Sequence, residues 1–157
     1  MSDLTELYQS VILDHSRAPR NFGALDAATG RAEGRNPLCG DEVTVWVRVD
    51  DGGRVAEARF TGSGCAISQA SASMMTQAVA GRTRAEAEVL FDAVHALVTG
   101  RGGPDAAAGV GRSLASLGGV SRFPVRVKCA SLAWHTMRAA LHESGGAAAG
   151  AAGAAAP

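Results

Sequence analysis

The chain has 157 residues, 46% of them apolar, which is enough for one domain with a real core and short for two. Fifteen basic and fifteen acidic side chains cancel, so the electrostatic footprint of a nucleic-acid binder or of a protein held on an anionic membrane is missing. The opening MSDLTEL carries two acids and neither a basic n-region nor an apolar h-region, and no later run reaches the length of a membrane span; a cytoplasmic location is expected.

Leu4, Leu7, Tyr8, Val11 and Ile12 recur at helical spacing, with Asp3 and Glu6 placed as a cap pair. This predicts an amphipathic helix from Asp3 to Arg17 that ends before Pro19. APRNFGALDAATG follows as loop. Val43, Val45, Val47 and Val49 alternate with polar or aromatic residues, and beyond DDGG the run Ala56, Ala58 and Phe60 alternates again, the pattern of an antiparallel hairpin with one buried face. Trp46 points away from the valines, toward a second layer or a contact surface.

Ile67, Ala70, Ser71, Met74, Met75 and Ala78 then form a helical stripe of small and soft residues stopped by Gly81. The two methionines fit that apolar stripe and read as core rather than as a soft-metal box. Thr83 and Glu86 match a capping box for a helix whose stripe is Ala87, Leu90, Phe91, Val94, Leu97 and Val98. TGRGGPDAAAG reads as loop, Ser113 to Leu117 as a short helix, and Ala130, Ala133, Trp134, Met137 and Leu141 mark a final helix after GGVSRFPVRVKC. Residues 1–144 are expected to form the domain. From Gly145 to Pro157 the Ala/Gly-rich tail has no large apolar side chain to bury and is expected to be disordered.

Three cysteines, Cys39, Cys65 and Cys129, are an odd number set far apart, which argues against a secreted disulfide framework and for reduced thiols. Each falls at the end of a predicted element. Cys39 precedes a strand in NPLCGD, Cys65 opens a helix after GSG, and Cys129 lies at or near the start of the last helix. Cysteines filling gaps as small hydrophobes are the bland alternative. A helix start favours anionic sulfur at Cys65, and Arg126 and Lys128 bring positive charge beside Cys129 unless they merely form a solvated strand face. Spacing alone names no metal, since no CxxC pair exists and any shared site must be built by the fold. Three thiolates with the carboxylate of Asp41 would make a tetrahedral set for Zn²⁺, Gly40 giving the backbone freedom to turn both Cys39 and Asp41 inward. A carboxylate among thiolates is unusual for a closed structural site and points to a ligand that can be exchanged.

The segments LYQSVILDHSRAPRN, NPLCGD, GSGCAISQASASMMTQ and GVSRFPVRVKCASLAW, in that order from Leu7 to Trp134, resemble the NifU/IscU superfamily of iron–sulfur cluster assembly proteins, and specifically its SufU branch. IscU-like members carry a histidine before the third cysteine where this chain has Lys128, and SufU-like members carry an insertion between the second and third cysteines, as here. The resemblance implies an α+β fold, a small antiparallel sheet of about three strands packed against helices, with the third strand near Gly30 to Asn36. It implies zinc ligands at Cys39, Asp41, Cys65 and Cys129, and a catalytic arginine at Arg126. It further implies an acceptor of sulfane sulfur from a SufS-type PLP-dependent cysteine desulfurase. Partner binding would swap a histidine onto the zinc and free Cys39, the acceptor, to attack the persulfide. Other SUF assembly proteins are further expected partners.

Two other functions fit the same residues: a scaffold on which a transient [2Fe–2S] cluster forms, and a structural zinc domain that only mediates contacts. His15 reads equally as a polar helix-end contact or as part of partner recognition. His95, His135 and His142 are expected not to be ligands, and no triad motif surrounds them to support a thiol hydrolase. Trp134 is expected to pack in the core.

Overall fold

The computed structural model describes residues 2–37, 40–101 and 110–145. In chain order the elements are α1 (Ser2–Arg17), β1 (Gly30–Asn36), β2 (Asp41–Val49), β3 (Val55–Ser63), α2 (Ala66–Val79), α3 (Arg84–Thr99), α4 (Arg112–Ala115), a 3₁₀ segment (Ser116–Arg122) and α5 (Pro124–Gly145). The strands form one antiparallel sheet in the order β1-β2-β3, so the α+β class and the three-stranded sheet stand, with β1 at the bounds expected. The tail lies outside the described residues apart from Gly145, the last residue of α5.

Register decides which side chains look inward. Gly30 pairs with Val47 and Asn36 with Asp41, while Glu42 pairs with Ser63 and Val45 with Phe60. Because strand side chains alternate between faces, Asp41 shares the core face with Val43, Val45 and Val47. The β2–β3 turn is held by Asp50, whose Oδ1 accepts from the amides of Gly52 and Arg54 at 2.9 and 3.0 Å. A register shift after Arg48 sets Val49 opposite Val55. This turns Val55 inward and leaves Ala56 exposed, correcting the alternation expected from Ala56.

β1, GRAEGRN, has little strand propensity of its own. It is a strand because α5 lies across it at close range: a Cβ on Gly30 would stand 2.1 Å from the Ala140 carbonyl oxygen, and one on Gly34 would stand 2.1 Å from Thr136 Oγ1. The core lies between the sheet and α2, α3 and α5, and Trp134, Phe60, Met74, Met75 and Met137 are among its largest fully buried side chains. Each such side chain contributes about 1.5–3 kcal/mol. The capping box of α3 forms as expected, Thr83 Oγ1 accepting from the Glu86 amide at 3.1 Å and Glu86 Oε1 from the Thr83 amide at 2.9 Å.

Two helix boundaries differ from expectation. The segment after Gly111 is a single α-turn continued as 3₁₀ through Ser116–Arg122, where Gly118 and Gly119 weaken an α-helix. α5 begins at Pro124, whose fixed φ suits a first helical position and whose missing N–H costs nothing there. Arg126 and Lys128 are therefore helical, neither loop nor strand face, and Cys129 stands in the second turn, near the helix start as expected.

Candidate metal centre

Asp41, Cys65 and Cys129 come from three different elements and meet at one end of the sheet. Asp41 opens β2 on its core-facing side and is fully buried. Gly40 before it has φ 72°, a backbone state that favours glycine. Cys65 is the N-cap residue of α2, extended at φ −73° and ψ 169°, and its side chain makes no capping hydrogen bond. Its sulfur is therefore not committed to the helix amides. Cys129 is 2% exposed, on the inward side of α5. Cys39 lies outside the described residues.

One potential ligand atom from each of Asp41, Cys65 and Cys129 lies within 4.8 Å of the others. The Asp41 carboxylate is oriented: Oδ1 accepts from the Cys65 amide at 3.1 Å, and Oδ2 stands 3.9 Å from Cys65 Sγ. Zinc–sulfur bonds of about 2.3 Å and zinc–oxygen bonds of about 2.1 Å put the edges of a tetrahedron near 3.5–3.8 Å. The three groups thus need to close by at most about 1.3 Å to share an ion. Two thiols and a carboxylate fit a borderline-soft cation such as Zn²⁺ and suit Mg²⁺ or Ca²⁺ poorly. Gly64 makes this approach possible, since a Cβ there would stand 2.3 Å from Asp41 Oδ1. No sequence pattern singled out Gly64. Its role appears only when β2 and the start of α2 are brought together.

With this geometry in hand, the family can be assigned. The model of the NifU-like N-terminal domain matches residues 7–146. The chain belongs to the NifU-like N-terminal domain family. A Streptococcus pyogenes serotype M1 relative named iron–sulfur cluster assembly scaffold protein IscU is 39% identical over 92% of this chain and 88% of its own length. A Bacillus subtilis (strain 168) relative named zinc-dependent sulfurtransferase SufU is 38% identical over 92% of this chain and 97% of its own. Among solved structures, that of an iron–sulfur cluster assembly scaffold protein for the SUF system from Fervidobacterium islandicum AW-1 superposes with a TM-score of 0.77 at 33% identity. It covers 87% of this chain and 97% of that one. Fold and family therefore agree with the resemblance read from the four motifs.

Within this NifU-like domain the remaining expected residues fall as follows. Arg126 is exposed in the first turn of α5. It precedes Cys129 by three residues and so sits on the same side of the helix. Lys128 is exposed on another side, facing β1. His15 is buried, with Nδ1 2.8 Å from Ser73 Oγ, which makes it a polar contact between α1 and α2. Burial first, and then the Arg20 guanidinium, push its pKa below the usual 6.5. His95 and His135 pack against Phe91, and burial, then His95 and Arg138, push His135 down. His142 meets Glu88 at 3.1 Å. Met74 and Met75 are core residues. Trp134 is buried and donates to Ser71 Oγ at 3.1 Å. Trp46 is half-buried on the outer face of the sheet, with the Arg31 guanidinium 5.8 Å from its ring centre. No described helix is long and apolar enough to cross a membrane.

Proposed function

We propose that this chain is a zinc-dependent sulfur carrier for iron–sulfur cluster biogenesis, taking persulfide sulfur from a SufS-type PLP-dependent cysteine desulfurase in the cytoplasm. The observation that carries the reading is the convergence of Asp41, Cys65 and Cys129 in a chain 38% identical to a zinc-dependent sulfurtransferase. Cys39, two residues before Asp41, completes the ligand set and is the acceptor. Bound zinc would keep coordinated sulfur deprotonated at neutral pH.

The transfer itself is a thiol–disulfide-type exchange. The Cys39 thiolate attacks the terminal sulfur of the desulfurase's cysteine persulfide. The new S–S bond forms on Cys39 as the old one breaks, and the desulfurase cysteine leaves as a thiolate, with no net change of oxidation state. Asp41 suits an exchangeable position, because an oxygen donor is harder than its thiolate neighbours and its carboxylate already accepts from the Cys65 amide. Arg126, one helical turn before Cys129, supplies positive charge to a donor set that, with zinc and three thiolates, is net negative.

A second reading, a scaffold holding a transient [2Fe–2S] cluster on the same four residues, is favoured by the IscU-named relative at 39% identity. Lys128, where IscU-like members carry histidine, weighs against it. The purified protein mixed with a SufS-type desulfurase and cysteine separates the readings. Carrier function predicts faster alanine release and a mass gain of one sulfur on Cys39, both lost in Cys39→Ala. A Cys39→Ala protein that stimulates alanine release as well as the parent would contradict it.

A further inference from the structure

α5 carries a stripe that the metal centre does not use. Lys128, Ser131, His135, Arg138 and His142 recur every three or four residues and share one side of the helix. From Pro124 to His142 the helix contains no acid. Cations in its first two turns, Arg126 and Lys128, oppose the helix dipole. Among the described residues, no carboxylate forms an ion pair with Lys128 or Arg138.

Arg138 is held in place without an anion. Its guanidinium carbon lies 4.2 Å from the Phe91 ring centre, an arrangement that fixes the plane of the group and leaves its N–H edge for another partner. His95 and His135 close around the same ring at 5.8 and 5.1 Å. Between the stripe and β1 runs an open groove of about 300 Å³, lined by Arg35, Asn36, Lys128, Ser131, His135 and Thr136. Gly34 forms its floor, where a side chain would collide with Thr136. The one acid on the lining, Glu33, is taken up by Arg31.

Lys128 and Arg138 are ten residues apart, about 15 Å along the helix axis. One small anion cannot bridge that span, whereas four or five residues of extended chain match it. A polyphosphate chain is the less suitable occupant, because the protein as a whole has no net charge. We propose that this groove and the basic side of α5 form the docking surface for an acidic segment of a partner protein. Carboxylates of the segment pair with Lys128 and Arg138, and its backbone lies over Gly34 against Ser131 and His135. Since Lys128 adjoins Cys129, a partner tethered here has its body beside the thiol cluster.

The test is fluorescence anisotropy of a labelled peptide of about twelve alternating glutamates and alanines, long enough to span the stripe. It is titrated with the full chain at low ionic strength, where surface pairing is least screened. Saturable binding is expected, weakened at least about tenfold by Lys128→Glu and by Arg138→Glu and unchanged by Arg17→Glu on α1. Arg138→Gln, a milder change, is expected to weaken binding less than Arg138→Glu, with circular dichroism confirming that each variant is folded. Absence of binding, equal binding by the α5 variants, or equal loss in Arg17→Glu would overturn the proposal. So would a labelled oligothymidylate that binds more tightly than the peptide and is lost in the same variants.

Discussion

Asp41 and Gly64 fit together only because residue 64 has no side chain: a Cβ there would stand 2.3 Å from Asp41 Oδ1 and 2.8 Å from its carboxyl carbon. The carboxylate is buried, and its position next to Cys65 is set from behind by backbone.

Gly64→Ala is therefore expected to push the carboxylate away from Cys65 Sγ and weaken zinc binding about 10–100-fold, the usual effect of disturbing groups that orient metal ligands. Competition against a chromophoric chelator measures it. Gly119→Ala, where a Cβ meets nothing within 4 Å, is expected to leave affinity unchanged.

His15 and Ser73 tie α1 to α2. Ser73 Oγ accepts from the Arg20 amide at 2.8 Å and lies 2.8 Å from His15 Nδ1, where a hydroxyl can either donate to or accept from the ring nitrogen. The folded-state pKa of His15 lies below its usual 6.5, so the unfolded chain binds the proton more readily. The contribution of neutral His15 is then complete above about pH 7 and is lost as pH falls through 6.5 toward the lowered folded value. Urea unfolding at pH 7.5 and pH 5.5 is expected to show a loss of stability in the parent and a smaller one in His15→Phe. Ser73→Ala leaves the buried His15 ring nitrogen and the half-buried Arg20 amide without this partner and is expected to cost about 1–3 kcal/mol at pH 7.5.

Gly34 sets the distance between β1 and α5. Gly34→Ala places a Cβ 2.1 Å from Thr136 Oγ1 but 3.4 Å from Thr136 Cβ, so the clash is largely with the hydroxyl. The single substitution is expected to cost about 1–3 kcal/mol. In the double variant with Thr136→Ala the cost should fall well below the sum of the two singles, as thermal or urea unfolding would show.

Ser71 serves two partners in the core, donating to the Ala130 carbonyl at 2.5 Å and accepting from the Trp134 indole at 3.1 Å. Ser71→Ala leaves a buried indole N–H unpaired, at an expected cost of about 1–3 kcal/mol. Trp134→Phe in the Ser71→Ala background is expected to destabilise less than Trp134→Phe alone, read from the double-mutant cycle.

Much of the fold was legible where local rules act alone. Val43, Val45 and Val47 announced a half-buried strand, and Thr83 with Glu86 announced the start of α3. β1 was placed only through family resemblance, because GRAEGRN gains its stability from α5 lying on Gly30 and Gly34, which local sequence does not encode. The same holds for Ala56, displaced outward by a register shift, and for Pro124, read as loop although proline suits the first position of a helix. The thiols and Asp41 could be named as chemistry-bearing residues, but their meeting depends on the sheet register and on clearance at Gly64. The basic side of α5 was present in the sequence as a long stretch without an acid, and it acquired meaning only once Arg138 was seen stacked on Phe91 beside an open groove.

The most direct test of the central claim is zinc content and X-ray absorption of the protein as isolated. One zinc per chain, in a shell dominated by sulfur at about 2.3 Å with one lighter donor near 2.1 Å, is the predicted result. A protein without zinc, or zinc in a shell of oxygen and nitrogen alone, would contradict it.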